Sequence, residues 1–324
     1  MGTPLFMGRL PISPINTSFG GSELYNLKFF HPRFWLTWIL IGLLRILSCL
    51  PYPSQLLIGK KLGRLNQALT RSSQSVIDIN LQKCFPQKTN QERKTIKNEC
   101  YENIGITLME LGMCWWWSEK RLKPLVDVKG MEHLEAVLSS GKAAILLSGH
   151  FTSLEIGVRL FSTISPIQVM YRTQKNALFD SYLYRKRNSY LVNVISSTNT
   201  RKLIKGIKNL IPTWYAPDQN FPNERTIFAP FMGIPTASIT ASSRLAKSTN
   251  CAMLPFYTYR KPDGTGYLLT IEPPLENFPS GDDLTDATTI NASIEKFVRH
   301  HPEQYMWVYK RFRARPEGEP SMYL

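Results

Sequence analysis

The chain predicts an α/β fold, a largely parallel central sheet covered by helices and preceded by an N-terminal membrane-anchor helix. Two observations carry this. From Val126 onward, short runs rich in β-branched and aromatic residues alternate with helix-patterned ones, the arrangement that builds a parallel sheet with helices on both faces. Before that body lies one long apolar run, residues 34 to 50. At 324 residues and 43% hydrophobic, the chain can fill one large α/β body or two smaller ones.

Residues 1–30, rich in Gly, Ser, Pro and Asn, are expected to form a flexible tail. The anchor is assigned to 31–53. FWLTWILIGLLRILSCL follows His31-Pro32-Arg33 and ends at Pro51-Tyr52-Pro53. Its roughly 25 Å as a helix falls slightly short of a ~30 Å hydrocarbon core. Trp35, Trp38 and Tyr52 suit the interfacial belts, and Arg45 is near enough to the end to snorkel. The competing reading is a buried amphipathic helix. Lys28 and Arg33 before the run, and Lys60, Lys61, Arg64 and Arg71 after it, place the body on the cytosolic side.

Helices follow near 55–69 and 72–84. A longer one opens at the capping box Thr89-x-x-Glu92, with Ile96, Cys100, Ile104, Leu108 and Leu111 at helical spacing. It runs into Trp115-Trp116-Trp117, which cannot all share one helix face. Strands are predicted near 143–147, 167–171, 192–196, 213–216, 251–259 and 267–272. Helices fit near 131–140, 152–163, 176–190, 199–210, 237–249 and 286–299. Lys261-Pro262-Asp263-Gly264 reads as a hairpin turn, adding an antiparallel pair late in the sheet.

The chemistry concentrates in AAILLSGHFTSLE, residues 143–155. His150 and Glu155 cannot share a helix face, because five positions turn through about 500°. A strand ending at Gly149 and a helix starting near Thr152 would let them converge at the carboxyl end of the sheet, where ligands bind. A carboxylate on one ring nitrogen leaves the other free as a base. The alternative is a Thr152-x-x-Glu155 capping box. Arg159 is one turn from Glu155 and could pair with it. Arg172 and the Asp218-Gln219-Asn220 run follow predicted strands, so they fall at the same end. Residues 307–316, Lys310 and Arg311 among them, alternate aromatic or apolar with basic side chains and as a strand would present one basic face.

Lys+Arg 39 against Asp+Glu 24 gives +15, which points to anionic partners. No nucleic-acid motif accompanies the charge, and there is no GxSxG, Walker loop or GxGxxG. Cysteines 49, 84, 100, 114 and 251 are odd in number and far apart, without metal-ligand spacing. Free thiols and no metal site are expected.

HPRFWLTW before the anchor, LPYP after it, GMEHL at 130–134, GHFTSLE at 149–155, WYAPDQ at 214–219, RKPDGTGY at 260–267 and PEQYMWVYKRFRARPEGEP at 302–320 together resemble the late acyltransferases of lipid A biosynthesis. The lauroyl-type members match most nearly. The resemblance implies an acyltransferase body over 54–324, with no cofactor. It implies an acyl carrier protein donor, a Kdo-lipid A precursor as acceptor, and no nucleic acid. The enzyme would sit in the bacterial inner membrane with its site on the cytosolic side. The family's HX4D/E motif falls on His150 and Glu155, making them the catalytic pair. Arg159, Arg172, Asp218, Gln219, Lys310 and Arg311 are the candidate substrate-binding residues. The pattern departs at Asn220, where an acid would be expected. A phospholipid-type acyltransferase acting on glycerol phosphate is the alternative, and a membrane-anchored nucleic-acid binder is a second, from a different class.

Overall fold

A computed structural model describes residues 27–219 and 226–323. The expected flexible tail lies outside the described residues up to position 26, as does Asn220. The chain begins its described part with short 3₁₀ turns. Four helices follow, α1 (Trp35–Leu47), α2 (Tyr52–Leu69), α3 (Arg71–Cys84) and α4 (Asn90–Trp116). The capping box opens α4 as predicted, with Thr89 Oγ1 accepting from Glu92 N and Glu92 Oε2 accepting from Thr89 N at 2.7 Å.

The α/β body then runs through a short helix α5 (Glu119–Leu122), β1 (Val126–Lys129), α6 (Met131–Ser139), β2 (Ala144–Leu147), α7 (Leu154–Phe161), β3 (Gln168–Tyr171), α8 (Ala177–Asn188), β4 (Asn193–Ser196) and α9 (Thr200–Lys208). It continues with β5 (Thr213–Tyr215), β6 (Thr226–Phe231), β7 (Ile234–Ile239), α10 (Ala241–Thr249), β8 (Ala252–Arg260), β9 (Tyr267–Ile271) and α11 (Asp283–His300). Seven strands form one sheet in the order β1-β9-β8-β2-β5-β3-β4. All neighbours are parallel except β8 and β9. That antiparallel pair is joined by the predicted turn, closed by Lys261 N donating to Gly266 O. β2 is buried at every position. Ile145 and Leu147 enter one core and Ala144 and Leu146 the other, as a strand covered on both faces requires.

Three parts depart from expectation. β1 and the hairpin β6–β7 were not anticipated, and β7 occupies the start of the expected 237–249 helix. Residues 307–316 make turns rather than a strand, because Trp307 and Phe312 are both driven into the core. The anchor is also corrected. α1 has 13 residues, about 20 Å, and its Ile41 and Leu44 are buried against the protein. Among the described residues no helix is long and apolar enough to cross a membrane.

α2 and α4 cross in near backbone contact. A Cβ on Gly105 would stand 2.0 Å from the Gly59 carbonyl oxygen, and one on Gly63 2.0 Å from that of Tyr101. Those helices fix the position of the α4 face that supports the site. Gly105→Ala is therefore expected to cost about 1–3 kcal/mol by forcing the helices apart, read as a lower midpoint in urea unfolding. An unchanged midpoint would mean the crossing is tolerant.

Candidate active site

β2, β5 and β3 are parallel neighbours, so their carboxyl ends meet at one edge. The chain leaves β2 through Ser148, whose N–H extends the ladder to Tyr215 O at 2.8 Å. Gly149 comes next in a space too small for a side chain, since a Cβ would stand 2.9 Å from Ile294. His150 follows, and Asp218 sits in the same position after β5.

Two hydrogen bonds join His150 to Asp218, and Tyr305 adds a third to the carboxylate. Asp218 Oδ2 accepts from the His150 backbone N–H at 2.8 Å, and Oδ1 faces His150 Nδ1 at 2.5 Å. Tyr305 Oη donates to Oδ2 at 2.9 Å. The Asp218 side chain is 1% exposed. Burial alone would raise its pKa, yet the carboxyl is held down at about 2 by the His150 imidazole and its hydrogen bonds, with Arg311 adding positive field. An ionised carboxylate on Nδ1 makes that nitrogen the donor, leaving Nε2 with its lone pair. The imidazole keeps 24% of its surface exposed, and no described residue hydrogen-bonds Nε2.

Glu155 goes elsewhere. It lies on the first turn of α7, where Ser153 is the N-cap without a side-chain cap bond, so the capping box does not form. Arg187 of α8 grips the Glu155 carboxylate with Nε at 2.9 Å and with Nη2, and Tyr190 Oη donates to it at 3.2 Å. Burial works against the Arg187 charge, but Glu155 outweighs it and raises the guanidinium pKa. No hydrogen bond joins Glu155 to His150. The acid on the imidazole is Asp218, because β5 borders β2 whereas α7 turns away behind the loop.

The other candidates divide. Arg172 is exposed just past β3, at the same edge, and Gln219 is half-buried beside Asp218. Lys310 is exposed near the Tyr323 ring. Two others leave their expected places. Arg159 is nine-tenths buried, and it bonds Ser162 Oγ and the Trp117 carbonyl and lies over the Tyr190 ring. It does not pair with Glu155, whose oxygens the Arg187 fork occupies. Arg311 is 1% exposed, bonded to Ala237 O and Asn291 Oδ1 and set against Phe231. It supports the core behind Asp218 and is not at the mouth.

The His150 loop is itself clamped, a feature the sequence reading missed. Arg260, at the end of β8, makes a fork with Glu110 of α4 and donates to Thr152 Oγ1 at 2.8 Å and Thr152 O at 3.0 Å. The part-buried Asn103 and the buried Tyr267 complete the set, accepting from Arg260 and donating to Glu110 respectively. From the other side Gln304 O accepts from Thr152 N, and Met306 N donates to His150 O at 3.0 Å. Arg260, Gln304 and Tyr305 do lie within the two motifs RKPDGTGY and PEQYMWVYKR. Nothing singled out Arg187, which reads as one cation of a solvated Arg185-Lys186-Arg187 run.

A partly exposed histidine on a buried aspartate, at the carboxyl edge of a mostly parallel sheet, is an arrangement able to take up a proton. Residues 25–314 match the family model described as bacterial lipid A biosynthesis acyltransferase. The chain is 35% identical over 300 residues to the lipid A biosynthesis lauroyltransferase of Escherichia coli (strain K12), covering 92% of this chain and 98% of that protein. It is 33% identical to the palmitoleoyltransferase of the same strain, over 93% of this chain and 98% of that one. To the myristoyltransferase of that strain it is 27% identical, over 92% and 93%. The chain belongs to the lipid A biosynthesis acyltransferases and is an acyltransferase. The glycerol phosphate alternative is not favoured, and the basic strand that suited a nucleic-acid binder does not form.

Two outcomes follow from the site's electrostatics. Arg260→Met leaves Glu110 buried without its partner and should cost about 3–5 kcal/mol. Adding Glu110→Leu should restore most of that stability but not turnover, because the Thr152 bonds stay lost; denaturant midpoints and kcat on both variants check this. Asp218 has its folded pKa at about 2, below its ordinary 3.8. Its stabilisation is complete above pH 3.8 and is lost as pH falls through about 2. Asp218→Asn should therefore be the less stable protein at neutral pH, with the gap closing over that acid window in pH-dependent unfolding.

Proposed function

We propose that the site moves a fatty acyl group from the thioester of acyl carrier protein to a 3-hydroxyl of an acyl chain already on a Kdo-lipid A precursor. The observation that carries it is the partly exposed His150 imidazole, whose Nδ1 is held by Asp218 and whose Nε2 bonds no described residue. A hydroxyl is a poor nucleophile at neutral pH. Nε2 takes its proton as the oxygen attacks the thioester carbonyl, and Asp218 stabilises the imidazolium that forms. The tetrahedral intermediate collapses, the C–S bond breaks, and the departing sulfur takes the proton from Nε2. No covalent acyl-enzyme is needed, in keeping with the absence of a GxSxG serine.

Glu155 keeps a part in this reading, through Arg187. Their fork and Tyr190 make a rigid charged wall beside the His150 loop, and Arg159 backs it through the Tyr190 ring. Arg172, Gln219 and Lys310 are the proposed contacts for the acidic donor and the phosphorylated acceptor, consistent with a chain of net charge +15. The same reading puts the enzyme at the bacterial inner membrane with its site facing the cytosol. Exposed apolar residues along α1 support attachment there.

The test is turnover of purified enzyme with acyl carrier protein thioester and precursor. His150→Ala should lower kcat by roughly 10² to 10⁴ while remaining folded. A folded variant with near-wild-type turnover would sink the assignment. Glu155→Gln and Arg187→Gln should each lower kcat, with the double variant little worse than either, since both break one unit. Additive losses would separate the two residues.

A further inference from the structure

α1 turns one face to the protein through Ile41 and Leu44 and the rest outward. Trp35, Leu36, Ile39, Leu40, Leu43 and Ile46 are 49–69% exposed, a long stripe of apolar surface on a helix too short to span a bilayer. Where that stripe ends, cations gather. The Arg45 guanidinium lies 5.6 Å from the centre of the Trp116 ring and the Lys186 ammonium 5.4 Å from the same ring, with Arg185 adjacent in sequence. Trp116 is the one member of the tryptophan triplet that is only half-buried.

These cations meet no carboxylate of the described residues. Elsewhere Arg64, Lys97, Lys261, Lys296 and Arg299 each meet a carboxylate. Arg45 reaches only Ser48 Oγ at 3.5 Å, and Lys186 donates to the Trp115 carbonyl at 3.1 Å. Neither they nor Arg185 has a carboxylate partner among the described residues. Partial burial lowers the Lys186 ammonium pKa, and the charges of Arg185 and Arg45 lower it further. Like charges held together beside an aromatic ring and an apolar stripe match the boundary of a leaflet, where tails, ring-level contacts and phosphates follow one another in depth.

We propose that Arg45 and Lys186 over Trp116, with Arg185 next to Lys186 on α8, form a binding site for the phosphate of an anionic membrane lipid, occupied while the outer face of α1 lies in one leaflet. This rests on the membrane placement of the preceding section and is independent of the acyl-transfer chemistry. The next residue of α8 is Arg187, which grips Glu155. A phosphate seated at Lys186 thus registers the site's wall against the bilayer surface.

The test floats full-length enzyme with vesicles, without donor or acceptor, so its outcome is separate from turnover. Vesicles of phosphatidylcholine alone are compared with equimolar phosphatidylcholine and phosphatidylglycerol. Arg45→Gln/Lys186→Gln should lose roughly tenfold or more in partition onto the mixed vesicles and nothing on the neutral ones, with an unchanged circular dichroism spectrum and melting curve. Ile39→Asn/Leu43→Asn should lose binding to both. Wild-type binding to mixed vesicles should weaken with salt while neutral binding holds. Unchanged partition of the glutamine variant on mixed vesicles, or equal loss on both, overturns the site. Unchanged partition with a raised KM for phosphorylated acceptor in micelles would assign the phosphate to the acceptor and overturn the bilayer reading.

Discussion

The buried fork between Arg260 and Glu110 is the constraint on which the rest of the site depends. It joins the end of a strand to the last third of the long helix α4, and the guanidinium also donates to Thr152 and Asn103. A charge pair this deep is weak evidence for stability, since desolvation cancels much of the attraction. Its value lies in direction. The guanidinium is planar and rigid, so the loop carrying His150 inherits the geometry of two elements that are themselves locked, α4 by its glycine crossing with α2 and β8 by strands on both sides.

Within that frame the two acids near His150 have separate work. Asp218 faces the imidazole and sets its tautomer, while Glu155 holds a guanidinium. Each carboxylate has a donor on both oxygens, which keeps two negative charges apart in a small volume.

Much of this was legible in the residues. The apolar run before Ser148-Gly149 placed His150 at a strand end, and Asp218 and Arg172 were put at the same edge. Their pairing was not legible, because five residues separate His150 from Glu155 and 68 from Asp218. Only the sheet order, with β5 beside β2, brings the distant acid closer. Arg311 misled for a different reason. Alternating aromatic and basic residues fit a strand with one wet face, but Trp307 and Phe312 take the core through turns and carry Arg311 in with them. The apolar run at 34–50 has the composition of an anchor, and composition does not record that Ile41 and Leu44 have partners on the protein. The fork of Arg260 needed three segments far apart in sequence, which no local pattern reports.

The loop bearing His150 is closed from one side by residues 304–306, near the far end of the polypeptide, while α1 lies near its start. During synthesis the apolar helix is therefore exposed long before Thr152 and His150 find Gln304 and Met306. The loop that carries His150 thus gains its last hydrogen bonds only when residues 304–306 have been made, long after α1.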